Sequence, residues 1–238
     1  MWRDRIYTVL TIPAFGLLYV FTAVMVIIIF CFALLNLKRP VTGLLGFWAR
    51  SVFTVIGKKL HIRGKENIHR NGKYILVANH TSLFDIMAIM SIYPGVSWLG
   101  HKRLLKVPLF GRVLRMTGYV PMKKTNVKFT RHMIDQLINK SRGHTIAIFP
   151  EGTRTVDGKI NKFYRGFIHL LRASDINVLP VTLKGFYLLK PKTRFHIKFN
   201  SNIEVIIHRP IDRELLIDKT DEEIISTVKN IIESSLDD

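Results

Sequence analysis

The sequence predicts an α/β fold: a single mixed-sheet domain over residues 61–238, preceded over residues 1–60 by a hydrophobic pair of helices. Three observations carry that expectation. Ile6–Leu37 runs for 32 positions without Lys, Arg, Asp, Glu or His. Beyond residue 60, the β-rich apolar runs Tyr74–Ala78, Thr145–Phe149 and Val178–Leu183 alternate with helically spaced stretches, the pattern of strands covered on both faces. The chain has 238 residues, 48% of them hydrophobic, which is enough to bury a core.

Taken in order, the first run makes a helix about 48 Å long, whereas a bilayer core of about 30 Å needs only about 20 residues. Pro13 and Gly16 offer a kink near its start. A cleaved signal peptide has an apolar region of about 7–15 residues closed by a small-x-small site. Here the run continues through Ile27-Ile28-Ile29-Phe30 to Lys38-Arg39-Pro40, so a membrane anchor is the better reading, with Cys31 an apolar member of it. In Val41–Leu60, residues Leu44, Leu45, Trp48, Val52, Val55 and Ile56 recur at helical spacing. Such a helix either packs back on the first, lies in the headgroup layer with Trp48 as anchor, or belongs to an ordinary core. Only Arg3 and Arg5, offset by Asp4, precede the apolar run, and basic residues crowd its far side. The positive-inside bias then puts the remainder on the cytoplasmic face of the membrane.

Further along, Lys102–Met116 and Val127–Arg142 read as helices, the second with Phe129, Met133, Ile134, Leu137 and Ile138 as its stripe. Gly118–Lys124 is a short strand with a basic end. Phe195, Ile197 and Phe199 alternate with Arg194, His196 and Lys198, as a half-exposed strand would. Thr220-Asp221-Glu222-Glu223 is a capping-box start for a last helix striped by Ile224, Ile225, Val228, Ile231 and Ile232.

The charge is lopsided. Residues 1–200 hold 32 of the 36 Lys and Arg and only 7 of the 17 Asp and Glu. Ile86–Ile134 has nine basic residues and no acid. A field of that sign draws phosphates, anionic headgroups, nucleic acid or an acidic carrier protein. No basic recognition helix or aromatic RNA-binding signature accompanies it, which argues against nucleic acid as a partner. One cysteine excludes an intramolecular disulfide framework and any Cys-rich zinc site. The serine elbow, Walker, dinucleotide and zinc-protease motifs are absent, so neither a metal nor a bound nucleotide cofactor is expected.

Of nine histidines, His80 and His61 have a carboxylate five residues on. His61–Glu66 brackets Gly64 and reads as a surface turn. His80 follows the run Tyr74–Ala78 directly and precedes a helix, where α/β sites tend to be built. With Thr81 or Ser82 capping that helix, Asp85 falls in its first turn, facing back to His80. Such a carboxylate holds one ring nitrogen protonated and leaves the other free as a base. The same spacing also arises by chance. Phe149-Pro150-Glu151-Gly152-Thr153-Arg154 follows the next strand end. Gly152 permits close approach, Thr153 offers a hydroxyl, Arg154 can fork onto a phosphate, and Glu151 can orient the loop. A polar turn with a local ion pair is the plain alternative. Lys123 and Lys124 end the third segment, as phosphate partners or as solvated charges.

Together these segments resemble a known family. Asn79-His80-x4-Asp85, Gly118–Lys124, Phe149–Arg154 and Val178-Leu179-Pro180-Val181 occur in the order of the four motif blocks of the glycerolipid acyltransferases, in particular the 1-acyl-sn-glycerol-3-phosphate acyltransferases. The resemblance spans roughly residues 40–210, and the N-terminal pair resembles the two-helix membrane motif of the bacterial members. The second block commonly ends in arginine in the family, where this chain has Lys124, which keeps the charge but not the fork.

The resemblance implies transfer of an acyl group from acyl-CoA or acyl carrier protein, as co-substrate, to the sn-2 hydroxyl of lysophosphatidic acid, giving phosphatidic acid. His80 would be the general base, Asp85 its orienting carboxylate, and no acyl-enzyme would form. Arg154 with Lys124 and Lys123 would hold the acceptor phosphate, and Glu151, Gly152 and Thr153 would complete that loop. Membrane lipids are the implied partners. Glycerol-3-phosphate or another lysolipid as acceptor, and a non-catalytic module binding anionic lipid, are the alternatives.

Overall fold

The computed structural model of the chain describes residues 2–69, 72–106, 110–122, 138 and 145–236. It opens with α1 (Trp2–Leu34) and α2 (Lys38–Val55). Asn36 makes the reversal between them at φ 55°, a left-handed conformation that asparagine tolerates. A seven-stranded sheet follows: β1 (Leu60–Arg63), β2 (Tyr74–Ala78), β3 (Ser97–His101), β4 (Val120–Met122), β5 (Ile146–Ile148), β6 (Asn177–Lys184) and β7 (Ile203–Ile207). Their order is β1-β7-β6-β2-β5-β3-β4. All pairs are parallel except β6 with β7, so the sheet is mixed, as expected.

β2 lies at the centre, with all five residues buried. Its side chains alternate between two cores. Tyr74, Leu76 and Ala78 face a cluster that includes Phe53 of α2, Phe84 and Phe186. Ile75 and Val77 face the other cluster, under α5 (Gly166–Arg172) and α7 (Asp221–Glu233), through Phe167, Ile168, Ile224, Val228 and Ile232. This period of two is what a strand covered on both faces requires. Pro180 sits inside β6 without disrupting it. The antiparallel ladder to β7 begins at Val181, and the Pro180 carbonyl accepts the His208 amide at 3.1 Å. The capping box at Thr220 and Glu223 forms as the sequence expects.

The two N-terminal helices have different surroundings. α1 is 33 residues long with Pro13 inside it. Within its span Asp4–Leu34, an apolar 18-residue window is only 17% buried. One face meets the protein: Met25, Ile29 and Ala33 pack against Val41 and Leu45 of α2 and Val113 of α4 (Phe110–Met116). α2 combines two of the readings open from its sequence. Its first half backs onto α1, and Val52, Phe53 and Ile56 enter the core of the sheet, so packing runs on across residue 60. The Trp48 indole is partly buried and donates to Thr22 Oγ1 of α1 at 3.2 Å. α2 also passes close to the end of α3 (Asp85–Ile92); a Cβ on Gly46 would lie 2.5 Å from Pro94.

Two further expectations meet a different outcome. The segment 195–199 alternates but is not a strand. The Ile197 amide donates to Thr11 Oγ1 of α1 at 2.9 Å, and Phe195 sits 6.3 Å from Phe15, so the segment is tied to a helix rather than to a neighbouring strand. Lys102–Met116 divides into a 3-10 turn, Lys102–Lys106, and α4. The expected helix over Val127–Arg142 lies outside the described residues except for Ile138, which packs on the second core.

Candidate active site

The C-terminal ends of β6, β2 and β5, three adjacent parallel strands, carry the residues singled out in the sequence. Such ends are where open α/β sheets bind ligands. At the end of β2, Asn79 clamps the chain to β6: its Nδ2 donates to the Leu183 carbonyl at 3.1 Å and its Oδ1 accepts the Leu183 amide at 2.8 Å. Asn79 belongs to the first motif, and its tie across 104 residues leaves no local trace in the sequence.

His80 and Asp85 meet. His80 Nδ1 lies 2.9 Å from Asp85 Oδ2, and that oxygen also accepts the amides of Thr81 at 2.6 Å and Ser82 at 2.8 Å. The carboxylate is fully buried, and the His80 side chain keeps 17% exposure. With Asp85 accepting, Nδ1 carries the proton and the Nε2 lone pair is left available. The ring is held flat against Phe149, with centroids 4.1 Å apart and 11° between planes, and Phe149 stacks in turn on Trp98 at 5.5 Å. Burial pushes the Asp85 carboxyl above the ordinary carboxylate range, and its bonds with His80, Ser82 and Thr81 pull it back.

The capping expectation needs correction. α3 has Phe84 at its N-cap and no side-chain cap. Asp85 folds back on the amides of Thr81 and Ser82, and Ser82 Oγ donates to the Lys190 carbonyl at 2.7 Å.

After β5, Glu151 is 1% exposed. One carboxylate oxygen accepts the His80 amide at 2.7 Å and the other the Asn161 amide at 2.8 Å. Glu151 therefore fastens the histidine turn to the next loop from inside, and its carboxylate has no outward face for an acceptor phosphate. Burial raises its pKa against those two bonds. The Thr155 amide completes the join by donating to the His80 carbonyl at 2.9 Å. Gly152 takes φ +65°, the left-handed region, at the exposed turn where Thr153 is also exposed. Arg154 is half-buried, and among the described residues its guanidinium has neither a hydrogen bond nor a carboxylate partner. Lys123 and Lys124 lie outside the described residues.

A basic residue that sequence reasoning did not single out lies within electrostatic reach of this loop. Lys190 follows α6 (Phe186–Leu189), the short helix after β6, and the charge of Arg154 acts on it. No motif marks it; only the order of strands brings it there.

Comparison with known proteins places the chain. Residues 59–184 match the Acyltransferase family. The chloroplastic 1-acyl-sn-glycerol-3-phosphate acyltransferase of Arabidopsis thaliana is 28% identical over 155 residues, 64% of this chain and 44% of that protein. The 1-acyl-sn-glycerol-3-phosphate acyltransferase of Borreliella burgdorferi is 30% identical over 158 residues, 64% of this chain and 60% of that protein. The chain thus spans about half the length of the curated relatives it matches. In fold it is similar to the crystal structure of the 1-acyl-sn-glycerophosphate acyltransferase PlsC of Thermotoga maritima. There the TM-score is 0.82 at 24% identity, covering 97% of this chain and 96% of the other.

Proposed function

The chain belongs to the Acyltransferase family, and we propose that it transfers a fatty acyl group from an acyl thioester to the free hydroxyl of lysophosphatidic acid, giving phosphatidic acid. The observation that carries this reading is the His80–Asp85 pair at the end of β2, with Nδ1 committed to a buried carboxylate and Nε2 available to a ligand. His80 takes the proton of the acceptor hydroxyl at Nε2 as the oxygen attacks the thioester carbonyl. Asp85 holds the ring's orientation and stabilises the imidazolium that results. The proton then leaves with the thiol of coenzyme A or acyl carrier protein. Positioned general-base catalysis contributes typically about 10²–10⁴-fold. A direct attack without an acyl-enzyme is supported by Ser82, the serine between His80 and Asp85 in sequence. It is fully buried and engaged with the Lys190 carbonyl.

Arg154 supplies the unpaired fork for the acceptor phosphate, with Lys123 and Lys124 as further cations, and Gly152 and Thr153 form the loop tip beside it. Glu151 contributes from below by holding that loop against His80. The outward face of α1 exposes Ile6, Val9, Leu10, Leu17, Val20 and Val24, which suits contact with the membrane where lipid substrates reside. The excess of basic residues after α1 argues for a cytoplasmic face.

The reading is tested by thiol release from palmitoyl-coenzyme A in detergent with lysophosphatidic acid, glycerol-3-phosphate and other lysolipids as separate acceptors. Release that depends on lysophosphatidic acid and exceeds that with the others supports it. Preference for another acceptor would replace the substrate, and no release with any acceptor from either donor would leave the lipid-binding module.

A further inference from the structure

In the sheet order β6-β2-β5, His80 stands at the end of the middle strand. Arg154 follows the strand on one side, and Lys190 follows the strand on the other. Neighbouring strands lie about 4.8 Å apart, so β5 and β6 are about 10 Å apart across β2. Arg154 and Lys190 each stand six residues beyond the end of their strand, on either side of the histidine, close enough for the charge of one to act on the other. Both are tied to its turn through the backbone. The Thr155 amide donates to the His80 carbonyl at 2.9 Å, and the Lys190 carbonyl accepts Ser82 Oγ at 2.7 Å.

The three cations of this corner differ in how much of their bonding is used. Arg194 is committed: its guanidinium donates to the carbonyls of Leu188, Leu189 and His196 and so closes the turn. Lys190 Nζ donates once, to the Arg194 carbonyl at 2.6 Å, which leaves two of its three N–H groups. Arg154 keeps all five of its own among the described residues. Among the described residues neither Lys190 nor Arg154 has a carboxylate within ion-pair reach. Burial, together with the charges of Arg154 and Arg194, lowers the lysine's pKa. Two half-buried like charges that act on one another while keeping donors unused favour an anion between them.

We propose that Lys190 is a second cation of the acceptor site, gripping the phosphate monoester of the lysolipid from the loop after β6 as Arg154 does from the loop after β5. This rests on the acyl-transfer reading and adds to it a residue that fixes the acceptor's headgroup. A phosphate is also carried by the acyl donor, and the experiment separates the two sources.

The test is steady-state thiol release by wild type, Lys190→Ala and Lys190→Arg, varying lysophosphatidic acid at saturating donor and then donor at saturating acceptor. A phosphate-free 1-acylglycerol serves as a third arm. Lys190→Ala should raise the KM for lysophosphatidic acid by about tenfold, as expected for a lost charge-assisted hydrogen bond. It should leave kcat within about threefold, be rescued by Lys190→Arg, and not affect the phosphate-free acceptor. An unchanged acceptor KM, a rise in the donor KM alone, or an equal loss with both acceptors would each overturn the proposal. Equilibrium binding of lysophosphatidic acid in micelles provides a readout independent of turnover. If wild type fails to turn over yet binds it in a Lys190-dependent way, the reaction fails and the clamp stands. Equal binding by wild type and Lys190→Ala removes the clamp.

Discussion

The turn after β2 and the loop tips after β5 and β6 lie side by side and are built in opposite ways. In the first, the Asp85 carboxylate is buried under three donors, the His80 amide and carbonyl are both bonded, and the imidazole is stacked on Phe149. In the second, Gly152 and Thr153 are exposed, Arg154 is unbonded among the described residues, and Lys190 keeps two donors in reserve. The difference follows the division of labour in the proposed reaction. A base must be held still before the substrate arrives. A phosphate-binding cation must keep its hydrogen bonds for the ligand, because a carboxylate partner would compete with it.

Substitutions test that contrast, since changes on the rigid side should strike turnover and changes on the open side should strike acceptor affinity. The largest effect belongs to His80→Ala, a fall in kcat of about 10²–10⁴-fold with the fold intact by circular dichroism. Next comes Arg154→Ala, where loss of a charge-assisted fork should raise the KM for lysophosphatidic acid about ten- to a hundredfold. A loss confined to kcat would move Arg154 out of the phosphate site. Asp85→Asn should lower kcat about tenfold. The amide oxygen can replace Oδ2 under the same three donors, but it stabilises the imidazolium less than a charge does. Unchanged turnover in that variant would show that Asp85 serves folding alone.

The smallest effect is on stability, at Glu151. Its folded-state pKa is raised by burial, so its contribution favours folding below the ordinary carboxylate range and is lost as pH rises through the raised value. Glu151→Gln turns an N–H group toward one of two amide donors and should cost about 1–3 kcal/mol in acid. That cost should shrink as the pH rises, read from thermal midpoints in detergent. A pH-independent difference would contradict the burial effect.

The parts legible in the sequence are those whose causes are local. His80 and Asp85 sit in one turn, five residues apart, and β2, β5 and β6 announce themselves as unbroken apolar runs. The capping box before α7 needs only four consecutive residues. What stayed hidden depends on distant partners. The charge of Arg154 reaches Lys190 only because β6 and β5 flank β2, and Asn79 reaches across 104 residues to Leu183. The segment 195–199 alternates like a strand in sequence, yet its ties run to Thr11 and Phe15 of α1 and not to a neighbouring strand. Trp48 finds a hydrogen-bond partner in Thr22, 26 residues earlier in the chain.

The central claim is that a single base at the end of β2 moves the acyl group, and the direct measurement is lysophosphatidic acid-dependent thiol release by purified wild type and His80→Ala, with binding to anionic vesicles followed in parallel. Release that disappears in the variant while vesicle binding is unchanged is the predicted result. Equal release by the two proteins would contradict it.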